Sequence, residues 1–191
     1  KVHEDALTTS GSADLSEGNE EAGQGQVKYI ASTGLSGSAT SLSVLVGSDE
    51  PATFKYQSLG SASIAAELGS LTSKGDALTY TITNGSDSNG SYQDLLAESD
   101  GTASGVSGRD IFTLRLYQDG DWSFDLNDQL DHTSGSGDSS TVLSGTSGAI
   151  DFTDLLDIRD YDGDAVNIPV SDADKTLFSI TIENDIPELV R

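Results

Sequence analysis

Residues 111–127 leave the rest of the chain the least freedom. Phe112, Leu114 and Leu116 alternate with Thr113, Arg115 and Tyr117; Gln118-Asp119-Gly120-Asp121 interrupts; Trp122, Phe124 and Leu126 then alternate with Ser123, Asp125 and Asn127. Successive strand side chains point to opposite faces, so this period-two pattern puts all six large apolar side chains on one side of an antiparallel pair. The Asp-Gly dipeptide supplies the backbone freedom that a tight hairpin turn needs. A sheet with one apolar face has to be covered, which predicts a core anchored here with the sole tryptophan, Trp122, inside it.

Similar short runs recur along the chain. Val27-Lys28-Tyr29-Ile30 opens strand-like material, Leu42, Val44 and Val46 alternate with Ser41, Ser43 and Leu45, and Phe54 and Tyr56 follow Pro51. Leu78, Tyr80 and Ile82 alternate with threonines up to Asn84-Gly85. Ile150 and Phe152 lead into Leu155-Leu156-Asp157-Ile158, Val166 and Ile168 make a short strand, and Phe178, Ile180 and Ile182 make the last one. Many short strands punctuated by Gly and Asp, with scant helix signal, predict an all-β fold. The expected architecture is an Ig-like, cadherin-like Greek-key β-sandwich forming one module over 1–191.

Three segments interrupt the pattern. The polar stretch 8–25, with Gly18-Asn19-Glu20-Glu21, reads as solvated linker. Leu130-Asp131-His132 closes the central hairpin and is followed by a Ser/Gly loop to Gly148. Residues 84–108 read as a long insertion holding Ser86-Asp87-Ser88-Asn89-Gly90 and Ser99-Asp100-Gly101. A helical turn is expected between Tyr92 and Glu98, with Tyr92, Leu95 and Leu96 on one face. Long loops in compact domains are often functional, which makes this the natural place for an added binding surface.

The formal net charge of −23 excludes some partners. Binding nucleic acid needs clustered Lys and Arg, and only 9 such residues face 32 acids, so neither nucleic acid nor an anionic membrane surface is expected. A cation sponge or a solubility device remains. A hydrophobic fraction of 35% is low, yet its residues fall in alternating runs, which implies a thin but real core. There is no cysteine, and no apolar run approaches the ~18 residues of a membrane span, so no membrane insertion is expected. A start at Lys1 without an initiator methionine suggests a segment of something longer.

Carboxylates cluster at both ends. Glu4-Asp5 lies near the beginning and Glu183-Asn184-Asp185-Ile186-Pro187 near the end; with copies in series, Asn184 and Asp185 of one meet Glu4 and Asp5 of the next. Such a concentration of oxygens repels itself unless it holds a cation, and calcium takes several oxygen ligands from acidic loops. Asp160-Tyr161-Asp162-Gly163-Asp164 puts three carboxylates on alternate residues. It is not an EF-hand, because Ala165 and Ser171 stand where that loop needs glycine and a bidentate glutamate, and Asp-rich turns also arise for turn reasons alone. Asp119-Gly120-Asp121 is explained by its turn, and His3 and His132 have no partner at zinc-ligand spacing. No Gly-x-Ser-x-Gly elbow, phosphate-binding glycine loop or His-Glu-x-x-His stretch occurs, so enzyme readings fare poorly. A carboxylate pair for glycoside hydrolysis stays open only because 32 acids always offer some pair at a workable separation.

Several of these stretches, taken in order, resemble the extender repeats of large bacterial RTX adhesins. They are Val2-His3-Glu4-Asp5-Ala6-Leu7-Thr8, Ile111-Phe112-Thr113-Leu114 with Asp119-Gly120 leading to Leu130-Asp131-His132, the 160–164 loop, and Ile182-Glu183-Asn184-Asp185-Ile186-Pro187. The ending is also similar to the calcium-holding linker of cadherin repeats. The resemblance implies type I secretion, an extracellular place on the bacterial cell surface, a role in cell adhesion and biofilm, and tandem sandwiches with Ca2+ at their junctions and no catalysis. The neighbouring repeats of the same polypeptide would then be the partners, and an isolated module would be a monomer. The implied junction ligands are Glu4 and Asp5 at the entering end and Asp157, Asp160, Asp162, Asn184 and Asp185 at the leaving end, with Asp164 either joining them or shaping its loop. The alternative expectation is a module of the same kind of adhesin that binds a glycan, peptide or surface through 84–108.

Overall fold

The computed structural model describes residues 2–4, 28–31, 42, 51–133, 141–145, 149–166 and 178–184. Its strands are β1 (Val2–His3), β2 (Lys28–Ala31), β3 (Thr53–Tyr56), β4 (Thr72–Ser73), β5 (Asp76–Asp87) and β6 (Gly90–Ser99). They continue with β7 (Asp110–Tyr117), β8 (Trp122–Leu126), β9 (Ile150–Asp151), β10 (Leu156–Arg159), β11 (Ser179–Ile180) and β12 (Ile182–Glu183). Among the described residues stand one α-helix, α1 (Ser61–Glu67), and a short 3-10 helix at Thr153–Leu155.

The central hairpin forms as its patterning dictates. β7 and β8 pair antiparallel with Phe112 opposite Leu126, Leu114 opposite Phe124 and Leu116 opposite Trp122, and all six are buried. The Tyr117 N–H donates to the Asp121 carbonyl at 2.8 Å and the Gly120 N–H to the Tyr117 carbonyl at 3.1 Å. Gly120 sits at φ 89°, the left-handed position that lets the last turn residue rejoin the ladder. Around this hairpin runs a six-stranded sheet in the order β2-β8-β7-β6-β5-β4, a meander from β4 to β8 with β2 added beyond β8.

The covering layer is built from strand pairs: β3 with β10, β9 with β11, and β1 parallel to β12. Between the layers the aromatic side chains meet. Phe112 and Phe124 approach Phe152 with ring centroids at 6.1 and 6.4 Å, Phe152 lies 5.7 Å from Phe178, and Phe178 lies 5.0 Å from Trp122. These tilted and edge-on geometries match the preference of aromatic quadrupoles. The result is an all-β sandwich with its buried apolar residues in one cluster.

One sequence expectation is corrected. Residues 84–108 are not a loop insertion with a helical turn: β5 runs on through Asn84 to Asp87, Ser88-Asn89 makes the turn, and β6 returns as a strand. Leu95, Ala97 and Ser99 are buried while Leu96 and Glu98 are only half-buried, so period two prevails over the three-and-four spacing of Tyr92, Leu95 and Leu96. The reason is tertiary: a strand flanked by β5 and β7 satisfies its backbone on both edges. α1, in a stretch to which the sequence patterning assigns no element, packs against β5 and buries Ile64, with Leu68 one turn on. Gly69, at φ 86°, ends it in the left-handed conformation usual after a helix. The linker 8–25, Val44, Val46, Ile168 and Ser171-Asp172-Ala173-Asp174 lie outside the described residues.

Candidate metal centre

The 160–164 loop closes a hairpin whose arms are β10 and the segment bridging back through Ala165 to Arg159. The Gly163 N–H donates to the Asp160 carbonyl at 3.2 Å, the Asp160 N–H to the Asp164 carbonyl at 3.0 Å, and Gly163 has φ 93°. This is the same backbone turn as 117–121, with Gly163 in the place of Gly120. Asp162 corresponds to Asp119, and each accepts from the N–H two residues on: Asp164 to Asp162 at 3.4 Å, Asp121 to Asp119 at 3.0 Å. Turn chemistry therefore accounts for Asp162-Gly163 as it does for Asp119-Gly120.

Asp160 has no counterpart in that comparison, because the equivalent position is Tyr117. Its carboxylate accepts the Asp164 N–H at 2.9 Å and lies against Asp162. A hydrogen bond between the two carboxyls holds Asp160 below the usual carboxylate range and pushes Asp162 above it. Two acids thus converge at a tip where Tyr161, Asp162, Gly163 and Asp164 are exposed.

The other predicted ligands are placed differently. Asp157 is engaged by cations of its own chain, with Lys55 Nζ at 3.2 Å and Arg159 Nε at 2.8 Å, which hold its carboxyl low against the opposing effect of burial. Glu4, expected to face a neighbouring repeat, turns into its own body instead: it is 3% exposed, its Oε1 accepts the Leu130 N–H at 2.7 Å, and His132 Nε2 lies 3.6 Å away. The parallel register Val2–Ile182 and His3–Glu183 brings this about, setting the start of the chain beside its last strand with Asn184 one step beyond. Asn184 is half-buried, and Asp5 and Asp185 lie outside the described residues. Among the described residues no three His, Asp or Glu side chains converge on a point suited to a metal.

The structure also assembles a buried polar hub around Arg109. Its guanidinium donates to Asp128, to Asp76 Oδ2 at 3.0 Å, to Ser73 Oγ at 3.3 Å and to the Ser73 carbonyl at 3.1 Å. Asp76 also accepts the N–H groups of Ala103 and Ser104 at 2.7 and 2.9 Å and the Ser104 hydroxyl, and this last bond leads in holding its carboxyl well below the usual range. Asp131 caps the β4–β5 turn, accepting from the Lys74 and Gly75 N–H groups at 2.8 Å each. The sequence carries a signal for this hub: Asp76 falls in phase with buried Leu78 and Tyr80, and Asp128 with Leu126 and Leu130. A carboxylate on an apolar phase demands a buried partner.

On the solvent face, Arg115 forks onto Asp94 at 2.7 and 2.8 Å and stacks 3.6 Å from the Tyr92 ring centre. Tyr92 lies across the strand from Gly85, where a Cβ would come within 2.4 Å of its ring. No family model matches the chain, and neither a curated protein nor a solved structure matches it.

Proposed function

We propose that the chain is a calcium-dependent structural extender module of a cell-surface adhesin, of the Ig-like or cadherin-like Greek-key kind, acting outside the bacterial cell to project distal ligand-binding domains. The observation that supports the reading is the Asp160–Asp162 pair. Three acids crowd an exposed turn whose backbone twin at 117–121 carries two, and the added one, Asp160, lies directly against Asp162. Holding carboxylates this way is unfavourable at neutral pH, and a hard divalent cation reverses the sign. The ligand set narrows to Asp160 and Asp162, with Asp164, Asn184, Asp5 and Asp185 completing it from the loop and the junction; Glu4 and Asp157 are committed elsewhere.

Extracellular modules hold calcium at roughly 10⁻⁴–10⁻³ M, and free ion at about ten times that constant stabilises the bound form by about 1.4 kcal/mol per site. The larger consequence is geometric, since an ion shared across a junction fixes the angle between neighbours. X-ray scattering on a tandem pair, with calcium and then with chelator, tests this: a rod that shortens on chelation is expected, and one of unchanged length refutes the reading. Calorimetric titration of one copy should show calcium binding weakened by Asp160→Asn and by Asp162→Asn, but not by Asp119→Asn. The alternative, a glycan- or peptide-binding module, draws no support from Tyr92, because Arg115 already occupies a face of its ring.

A further inference from the structure

We infer that the pairing of the first strand with the last is a mechanical clamp loaded in shear, with Glu4 as its peg. β1 and β12 run parallel, Val2 beside Ile182 and His3 beside Glu183. Tension on the two chain ends pulls β1 back toward its start and β12 forward toward its finish, so the strands are driven past each other along their length. Their hydrogen bonds are strained together; an antiparallel terminal pair, with both loose ends on one side, would be peeled open bond by bond.

The two sides of the clamp are held unequally. β12 is fixed from behind: β11 pairs with β9, the Phe152 N–H donates to the Phe178 carbonyl at 2.8 Å, and Ile182 is fully buried. Among the described residues β1 pairs with β12 alone. What adds to its grip is Glu4, whose buried carboxylate accepts the Leu130 N–H at 2.7 Å next to His132. Glu4 thus ties the first strand to the segment that closes the central hairpin, 126 positions away in sequence. Release of β1 is the first event under load, and Glu4 sets its rate.

The clamp draws its purpose from the extender reading, in which such a module carries tension, but its test does not depend on calcium. The chain has no cysteine, so one introduced thiol defines a single attachment point. The full chain is stretched in optical tweezers between its two ends, and separately between its N-terminus and Thr181→Cys, which peels β1 from its first residue. End-to-end stretching is expected to need clearly the higher force, and Glu4→Ala to speed end-to-end rupture at constant force roughly ten- to a hundredfold, as loss of a hydrogen bond to a charged acceptor should. Equal forces in the two geometries overturn the clamp, and so does an end-to-end rupture rate untouched by Glu4→Ala. If that variant does not fold, the two wild-type geometries still decide. Both are run with calcium and with chelator, so a clamp that persists while a tandem pair shows no calcium-dependent length would sink the calcium reading alone.

Discussion

Replacing Arg109 by methionine keeps the volume of the side chain's stem and removes its charge, leaving Asp76 and Asp128 to face each other's neighbourhood without their shared cation. Truncating one partner of a buried ion pair costs about 3–5 kcal/mol, because the other charge is left uncompensated. The structure argues for the lower figure. Asp76 keeps the Ala103 and Ser104 donors, and Asp128 keeps the Gln129 N–H at 2.8 Å and Lys74 Nζ at 3.7 Å. A loss of about 3 kcal/mol is a large share of the ~5–15 kcal/mol typical of a domain, and corresponds to a fall in Tm of about 6–12 °C at this size. Urea unfolding followed by the fluorescence of Trp122, itself in the core, measures it. Adding Asp128→Asn to Arg109→Met should cost less than the two single losses together, since the groups act as one unit. The loss should be the same in calcium and in chelator, because the guanidinium and not a metal supplies the positive charge. A loss below about 1 kcal/mol would refute the claim that this hub holds the β4–β5 turn, the 100–108 loop and the 127–131 segment together.

Three other perturbations have defined outcomes. Phe152→Ala should cost about 3–5 kcal/mol in denaturant unfolding, because it empties the space between Phe112, Phe124 and Phe178. Gly85→Ala should swing Tyr92 off its place and lose the Arg115 stack, a cost of about 0.5–1 kcal/mol, seen by NMR as loss of the ring-current shift on Arg115. On acidification, Asp76 contributes stability that is present above its unfolded value near ~4 and lost as pH falls below it, because its folded carboxyl is held lower than its unfolded one. Asp76→Asn should therefore lose less stability than the wild type between about pH 5 and pH 3, and parallel losses would contradict the assignment.

The sequence by itself determined the elements whose apolar phase is unbroken: the 111–127 hairpin, β3, the first part of β5 and the all-β class. Period-two alternation flanked by Asp-Gly has one low-energy solution whatever surrounds it. It did not determine β6, because Tyr92, Leu95 and Leu96 fit a helical face as well as a strand, and only β5 and β7 on either side resolve that ambiguity. α1 is seven residues long, too short to be stable without the sheet beneath Ile64. For the site, sequence showed that acids collect at both ends and at 160–164; tertiary structure decided what each one touches. Glu4 became a buried peg, Asp157 an ion-pair partner and Asp160 the close neighbour of Asp162, because a carboxylate's role is set by the donors and charges the fold brings within a few ångströms.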